Sequence, residues 1–299
     1  MTSHERLEWL EGRRQGIGSS DVAAILGLSP WQTALDIYLS KVKPPVEEKM
    51  AAPLEWGQRA EPMIAAAIRD HYGWTLNKIP TVIHRQHRFL IASVDRLGPE
   101  NSVVEIKTAS RADGWGEAET AEVPDYYWVQ VQHQLEVLRE TYEAKTAWVF
   151  VLIAGNDFRR YRVAYDPDYL PTVLDALRDF WACVETRTPP EPQWGHPSTL
   201  SAVQRLHEPK PGATTILPGE CDQWADSYER LGQEAKAANE ERDAVKARLI
   251  HALGDCEVGK LLDGRTVTRK EIKRAGFTVE PTTYFSFTVK SPKKGKVTS

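Results

Sequence analysis

Cysteine is scarce in this 299-residue chain: Cys183, Cys221 and Cys256 are the only three, and no two form a C-x-x-C pair. This argues against a disulfide framework, a zinc ribbon and a four-cysteine iron–sulfur cluster. None of the eight histidines falls in an H-E-x-x-H spacing, so any metal is expected on carboxylate oxygens. Long apolar runs are missing too. Nothing approaches the ~20 residues that cross a bilayer, and the opening M-T-S-H-E-R-L-E-W-L-E-G-R-R has no signal-peptide hydrophobic region, so a cytoplasmic protein with no membrane role is expected. A strongly basic overall charge is also absent, the net charge being -4. Residues 260–299 nevertheless carry ten Lys or Arg against three Asp or Glu, a charge of +7 that leaves −11 for residues 1–259. An acidic body with a basic tail points to DNA contact confined to a local channel, and possible at the tail.

The most informative stretch is Phe89–Ser110, F-L-I-A-S-V-D-R-L-G-P-E-N-S-V-V-E-I-K-T-A-S. Two β-rich runs, Phe89–Val94 and Ser102–Lys107, flank a Gly98-Pro99-Glu100-Asn101 turn, which predicts a hairpin. Side chains alternate along a strand, so Glu105 and Lys107 share one face and Ile106 takes the other. Asp95 ends the partner run and can close the group. Two carboxylates beside one ammonium suit a hard divalent cation, with the lysine left to orient a water or a phosphate. The alternative is an exposed strand edge with a surface salt bridge contributing ~0–1 kcal/mol.

The surroundings add candidates. G-I-G-S-S-D-V-A-A-I-L-G places Ser19, Ser20 or Asp21 at the start of a short helix, where free N–H groups, hydroxyls and Arg14 could receive an anion. Helices are predicted near Ala34–Lys41, from Gly57–Pro62 to His71 or Tyr72, over Pro124–Arg139 and over Tyr169–Thr186. On the second of these Glu61 shares the apolar face of Ile64, Ala65, Ile68 and Tyr72, where a carboxylate needs a cation or hydrogen-bond donors, or complements the helix dipole. Gln130 and Gln134, four apart, flank the stripe Trp128, Val131, Leu135, Leu138 and could reach a shared ligand. Strands are expected over Thr81–His84, Trp148–Ile153 and Phe158–Val163. The element order predicts an α/β (α+β) fold with a mixed central sheet flanked by helices.

A Pro-rich linker is expected over residues 191–220. Beyond it, Tyr228, Leu231, Ala235, Ala238, Arg242, Val245, Leu249 and Ala252 alternate steps of three and four, a heptad-like seam ended by Gly254. Asp263-Gly264 then signals a hairpin with a type I′ turn, and Tyr284–Val289 a last strand. Residues 1–190, 191–220 and 221–299 are thus read as a first domain, a linker, and a helical segment with a basic hairpin extension.

Four motifs, W-L-E-G-R-R-Q-G-I-G-S-S-D, L-E-W-G-Q-R-A-E-P, S-V-D followed by V-V-E-I-K, and Y-Y-W-V-Q-V-Q-H-Q-L, occur in an order that resembles the YqaJ viral recombinase and lambda exonuclease family of the PD-(D/E)xK nuclease superfamily. They cover roughly residues 9–190. The resemblance implies a restriction-endonuclease-like core in which Glu61, Asp95, Glu105 and the Ile106 carbonyl hold Mg2+ or Mn2+. It implies that Lys107 positions or activates the attacking water, that Gln130 supports the site, and that Arg14 with Ser19 or Ser20 holds a DNA phosphate. Val94 stands where the superfamily signature has proline, which shapes a turn and is not a ligand. Also implied are 5′→3′ exonuclease activity on double-stranded DNA in a phage or prophage recombination system, a trimeric ring, and a single-strand annealing protein as partner. An endonuclease with the same metal site and a non-catalytic DNA-binding protein remain as alternatives.

Overall fold

The computed structural model describes residues 11–44, 52–273 and 287–289. Most of the strand expected at Tyr284–Val289, all of Lys290–Ser299 and most of residues 6–14 lie outside the described residues. The chain divides into two units, Met1–Pro209 and Lys210–Ser299.

From Ser19 onward the first unit runs through helices α1 (Ser19–Ile25), α2 (Ala34–Val42) and α3 (Ala52–Tyr72). Short strands β1 (Val82–Ile83), β2 (Ile91–Ala92) and β3 (Arg96–Leu97) lead to the longer β4 (Val103–Ala109). Then come α4 (Asp125–Tyr142), β5 (Thr146–Ile153), β6 (Asp157–Ala164), α5 (Tyr169–Glu185) and α6 (Thr199–Leu206). The main sheet has the order β3-β4-β5-β6, with antiparallel, parallel and antiparallel neighbours in turn. The parallel β4–β5 pair needs a long crossover, which α4 supplies. This is the mixed sheet flanked by helices that the element order predicts.

Both faces of the sheet are covered, so β4 and β5 read as apolar runs. On one face Val103, Val149 and Val151 join Val131, Leu135 and Leu138 of α4 and Leu177 of α5 in the main core. On the other, Val104, Ile106 and Phe150 pack with Ile64, Ala65 and Ile68 of α3 in a smaller cluster. Residue 106 thus points away from residues 105 and 107, as strand alternation requires.

The predicted hairpin needs correction. The partner of β4 is Arg96–Leu97, while Ile91–Ala92 pairs with β1 in a separate two-stranded sheet. The reason lies upstream: Ile17 donates to the Phe89 carbonyl at 2.6 Å and accepts from the Ile91 amide at 2.9 Å. Those bonds engage the apolar run elsewhere, and the chain breaks before Asp95. Gly16 makes the docking possible, because a Cβ there would lie 2.7 Å from the Phe89 oxygen. Residues 191–209 are not a bare linker either. They contain α6, whose Ala202 is fully buried and whose Arg205 pairs with Asp36 of α2, joined by Ser198 Oγ at 2.6 Å.

The second unit consists of α7 (Glu220–Leu253) and the antiparallel pair β7 (Val258–Lys260) and β8 (Thr266–Thr268). The connection is not the two-residue type I′ turn expected from Asp263-Gly264. Leu261 pairs with Arg265 at 2.8 Å, and only Gly264 takes a left-handed φ, of 89°.

Candidate active site

Glu105 and Lys107 are brought together by the pleat of β4, with Lys107 Nζ 2.6 Å from Glu105 Oε1. Helix α4 crosses the same face. Because Gln130 and Gln134 are one turn apart, both amides reach one carboxylate: Gln130 Nε2 donates to Glu105 Oε1 at 2.6 Å, and Gln134 Nε2 to Oε2 at 2.7 Å. Glu105 is 4% exposed, so these donors replace the water its charge would otherwise lose. Gln130 Oε1 in turn accepts from Lys107 at 3.2 Å.

Lys107 Nζ lies 4.7 Å from the centre of the Tyr127 ring, one helical turn before Gln130. Burial disfavours its charge, but Glu105 and Asp95 outweigh burial and hold the ammonium above its usual range. Lys107 is therefore a fixed positive charge.

Asp95 follows the bend that ends the apolar run. Its Oδ2 accepts from the Ile106 amide at 2.7 Å, which anchors the carboxyl beside β4. Burial first, then the charge of Glu105 and, more weakly, of Glu61, pushes Asp95 up to about 8. Glu61 is held apart: its Oε1 is 2.6 Å from the guanidinium of Arg96, which also donates to the Asp95 carbonyl. Among the described residues no group of three or more His, Cys, Asp or Glu is gathered closely enough to hold a metal. Asp95 and Glu105 are the two acids on the chemical face of β4, and Glu61 stands behind Arg96. Asp95 and Glu105 supply carboxylate oxygens of the kind a hard divalent cation takes, and such a cation would offset the charge of Glu105 that raises the Asp95 pKa, while the third acid, Glu61, is engaged by Arg96.

The phosphate candidates separate. Arg14 turns away from Ser19 and Ser20, donating to the Lys41 carbonyl at 3.0 Å and to both oxygens of Glu11 at 2.7 and 3.0 Å. Its neighbour Arg13 takes the expected place, 2.7 Å from Ser20 Oγ and 2.6 Å from Asp21 Oδ1. Asp21 is buried and also bonds Lys41 Nζ at 2.6 Å and the Gly18 amide at 2.9 Å. Burial raises its pKa, but Arg13 and Lys41 outweigh that and keep it lowered. Ser19 Oγ is buried with no hydrogen-bond partner among the described residues.

Arg96, Tyr127, Arg13 and Lys41 are thus parts of the two clusters that sequence reasoning does not single out. Arg96 adjoins Asp95, and Tyr127 is three residues before Gln130, but only the fold gives either a role.

Residues 8–147 match the model of the YqaJ-like viral recombinase domain, and all the residues of the β4–α4 cluster fall inside that span. This segment is similar to that family. The chain is 35% identical over 179 residues to the uncharacterized protein YqaJ of Bacillus subtilis strain 168, which covers 59% of this chain and 55% of that one. It thus spans about half the length of that relative. Its fold resembles a candidate exonuclease from Eubacterium rectale, with a TM-score of 0.51 at 13% identity over 72% of this chain and 96% of the other. An alkaline exonuclease from Laribacter hongkongensis aligns with a TM-score of 0.48 at 15% identity, over 60% of this chain and 93% of that one. No helix among the described residues is long and apolar enough to cross a membrane.

Proposed function

We propose that the YqaJ-like domain is a divalent-metal-dependent deoxyribonuclease, and specifically a 5′→3′ exonuclease on double-stranded DNA in a phage or prophage recombination system. One observation carries the reading: Glu105 and Lys107 lie on one strand face, locked in place by two glutamine amides, with Asp95 anchored to the intervening amide. A bound Mg2+ or Mn2+ would supply positive charge against the scissile phosphate and lower the pKa of water. Asp95, Glu105 and the Ile106 carbonyl would hold it, with Glu61 joining on release from Arg96.

The chain's own groups do the rest. Gln130 and Gln134 fix the Glu105 carboxylate without competing with it as anions. Lys107, held as an ammonium, orients the attacking water and faces the developing phosphate charge as a fixed cation; its raised pKa makes it a poor base. Arg13 with Ser20 is the better phosphate contact than Arg14, because its guanidinium is the one turned toward the serine. The family resemblance adds a trimeric ring and an annealing protein partner.

The test is an end-labelled linear duplex with Mg2+, set beside closed circular DNA and a chelator control. Expected are loss of linear duplex from the 5′ ends, intact circles and no reaction in chelator. Glu105→Gln and Lys107→Ala should each lower kcat by at least about 100-fold, as loss of a transition-state contact of several kcal/mol requires. Cleavage of circles would favour the endonuclease reading, and wild-type rates for Lys107→Ala would refute the site.

A further inference from the structure

Helix α7 is 34 residues long, ~51 Å at 1.5 Å per residue, and Leu253 is its only buried residue among those described. Along it the large apolar side chains Trp224, Tyr228, Leu231, Val245 and Leu249 all remain at least 40% exposed. Their spacing continues through alanines 235, 238 and 252 and through Arg242, in unbroken steps of three and four from residue 221 to 252. A strict 3.5-residue repeat drifts off the face of a straight 3.6-residue helix. It is kept over four heptads when the helix winds about another with the same repeat.

We propose that this face forms a parallel, in-register coiled coil with another copy of this chain. The charges at its edge select both partner and direction. With Tyr228 and Leu231 as seam positions a and d, the charged flanking residues are Glu234, Glu241 and Arg248 on one side and Lys246 on the other, where Asn239 lies opposite Glu234. Parallel alignment sets Glu241 against Lys246 of the second copy and opposes no like charges along the flanks; at the seam the two Arg242 side chains meet, with Glu241 of each copy beside them to offset the repulsion. It also places Arg242, the one charged seam residue, beside Glu241 of the other copy, and a lone polar seam residue fixes register. Antiparallel alignment would set Glu234 against Glu241 of the other copy twice along one flank, with Arg248 only at the ends of that row, next to Ser227. Phe287 meets the Tyr228 ring edge-on at 5.2 Å, the contact the described residues show from this chain's own end, yet Tyr228 stays 55% exposed. The inference is independent of the nuclease reading.

Cys221, a free and partly exposed thiol, occupies a seam position and supplies the probe. A parallel pair brings like residues together, so Cys221 would face its own copy, whereas an antiparallel pair would set it against Ala252. The full-length chain carrying Cys183→Ser and Cys256→Ser, treated with diamide, should run as a disulfide-linked dimer on a non-reducing gel. Adding Leu231→Glu and Val245→Glu should abolish that band and raise the dissociation constant in sedimentation at least tenfold, with duplex hydrolysis unchanged. A monomeric wild type, with the seam covered by its own C-terminal segment, would overturn the proposal. So would self-association without a Cys221 crosslink, or a crosslink that survives both glutamates.

Discussion

Glu136 offers a measurement of how a buried charge is held in this fold. Its side chain is 2% exposed on α4, with Tyr165 OH at 2.5 Å, His84 Nε2 at 3.2 Å and Arg139 at 3.2 Å. His84 Nδ1 accepts from the amides of Gln86 and His87, so the neutral ring carries its proton on Nε2 and donates to Glu136. Burial works against the carboxylate, but His84, Tyr165 and Arg139 outweigh it and lower Glu136 from 4.5 to about 2. At 1.36 kcal/mol per pH unit, that difference corresponds to about 3 kcal/mol of folding free energy. Because the folded value is depressed, this stabilisation is complete above the unfolded pKa and is lost as pH falls from there toward 2. Glu136→Gln keeps the shape and one acceptor but cannot ionise. Urea unfolding should therefore find it about 2–3 kcal/mol less stable than wild type at pH 7, with the gap roughly halved at pH 3 and closing toward pH 2. A gap that is constant from pH 7 to pH 3, or below about 0.5 kcal/mol at pH 7, would refute the reasoning.

Other consequences follow from the same geometry. Arg13→Ala should remove most of any preference for a 5′-phosphorylated over a 5′-hydroxyl duplex, since a charge-assisted bond contributes about 1.5–3 kcal/mol, while Arg14→Ala should leave it nearly intact; the reverse order in a rate comparison would restore Arg14 to the site. Asp95→Asn should abolish hydrolysis yet stabilise the chelator-treated protein by about 1–3 kcal/mol at pH 7. Burial and Glu105 raise the folded Asp95 pKa to about 8 from 3.8, so wild-type stability falls as pH rises between those values, and the amide escapes that loss. Unfolding curves of the two proteins that stay parallel from pH 4 to pH 8 would count against the raised value.

What could be read in the sequence was whatever local periodicity dictates. Glu105 and Lys107 had to share a face once β4 was a strand, and Gln130 and Gln134 had to share a flank once α4 was a helix. The errors arose where distant segments decide. Phe89–Val94 has the look of the β4 partner, but Ile17 takes its hydrogen bonds from a position more than 70 residues upstream. Adjacent arginines at 13 and 14 are equivalent in sequence and opposite in space, because Lys41 and Glu11 capture one and Asp21 the other. Arg96 had no visible role until α3 brought Glu61 to it, and residues 191–209 passed for linker because their anchor, Asp36, lies in α2.

The hydrogen bonds around Glu105 have a consequence for the chain during synthesis. Glu105 emerges from the ribosome 25 and 29 residues before the two glutamines that hold it, and the parallel strand that seats β4 follows later still. Until those residues arrive, the carboxylate has neither its amide donors nor the sheet that aims it. Under the proposed nuclease function, hydrolytic competence would then belong to the finished domain alone, and a nascent or truncated chain would be inactive without any inhibitor, through contact order alone.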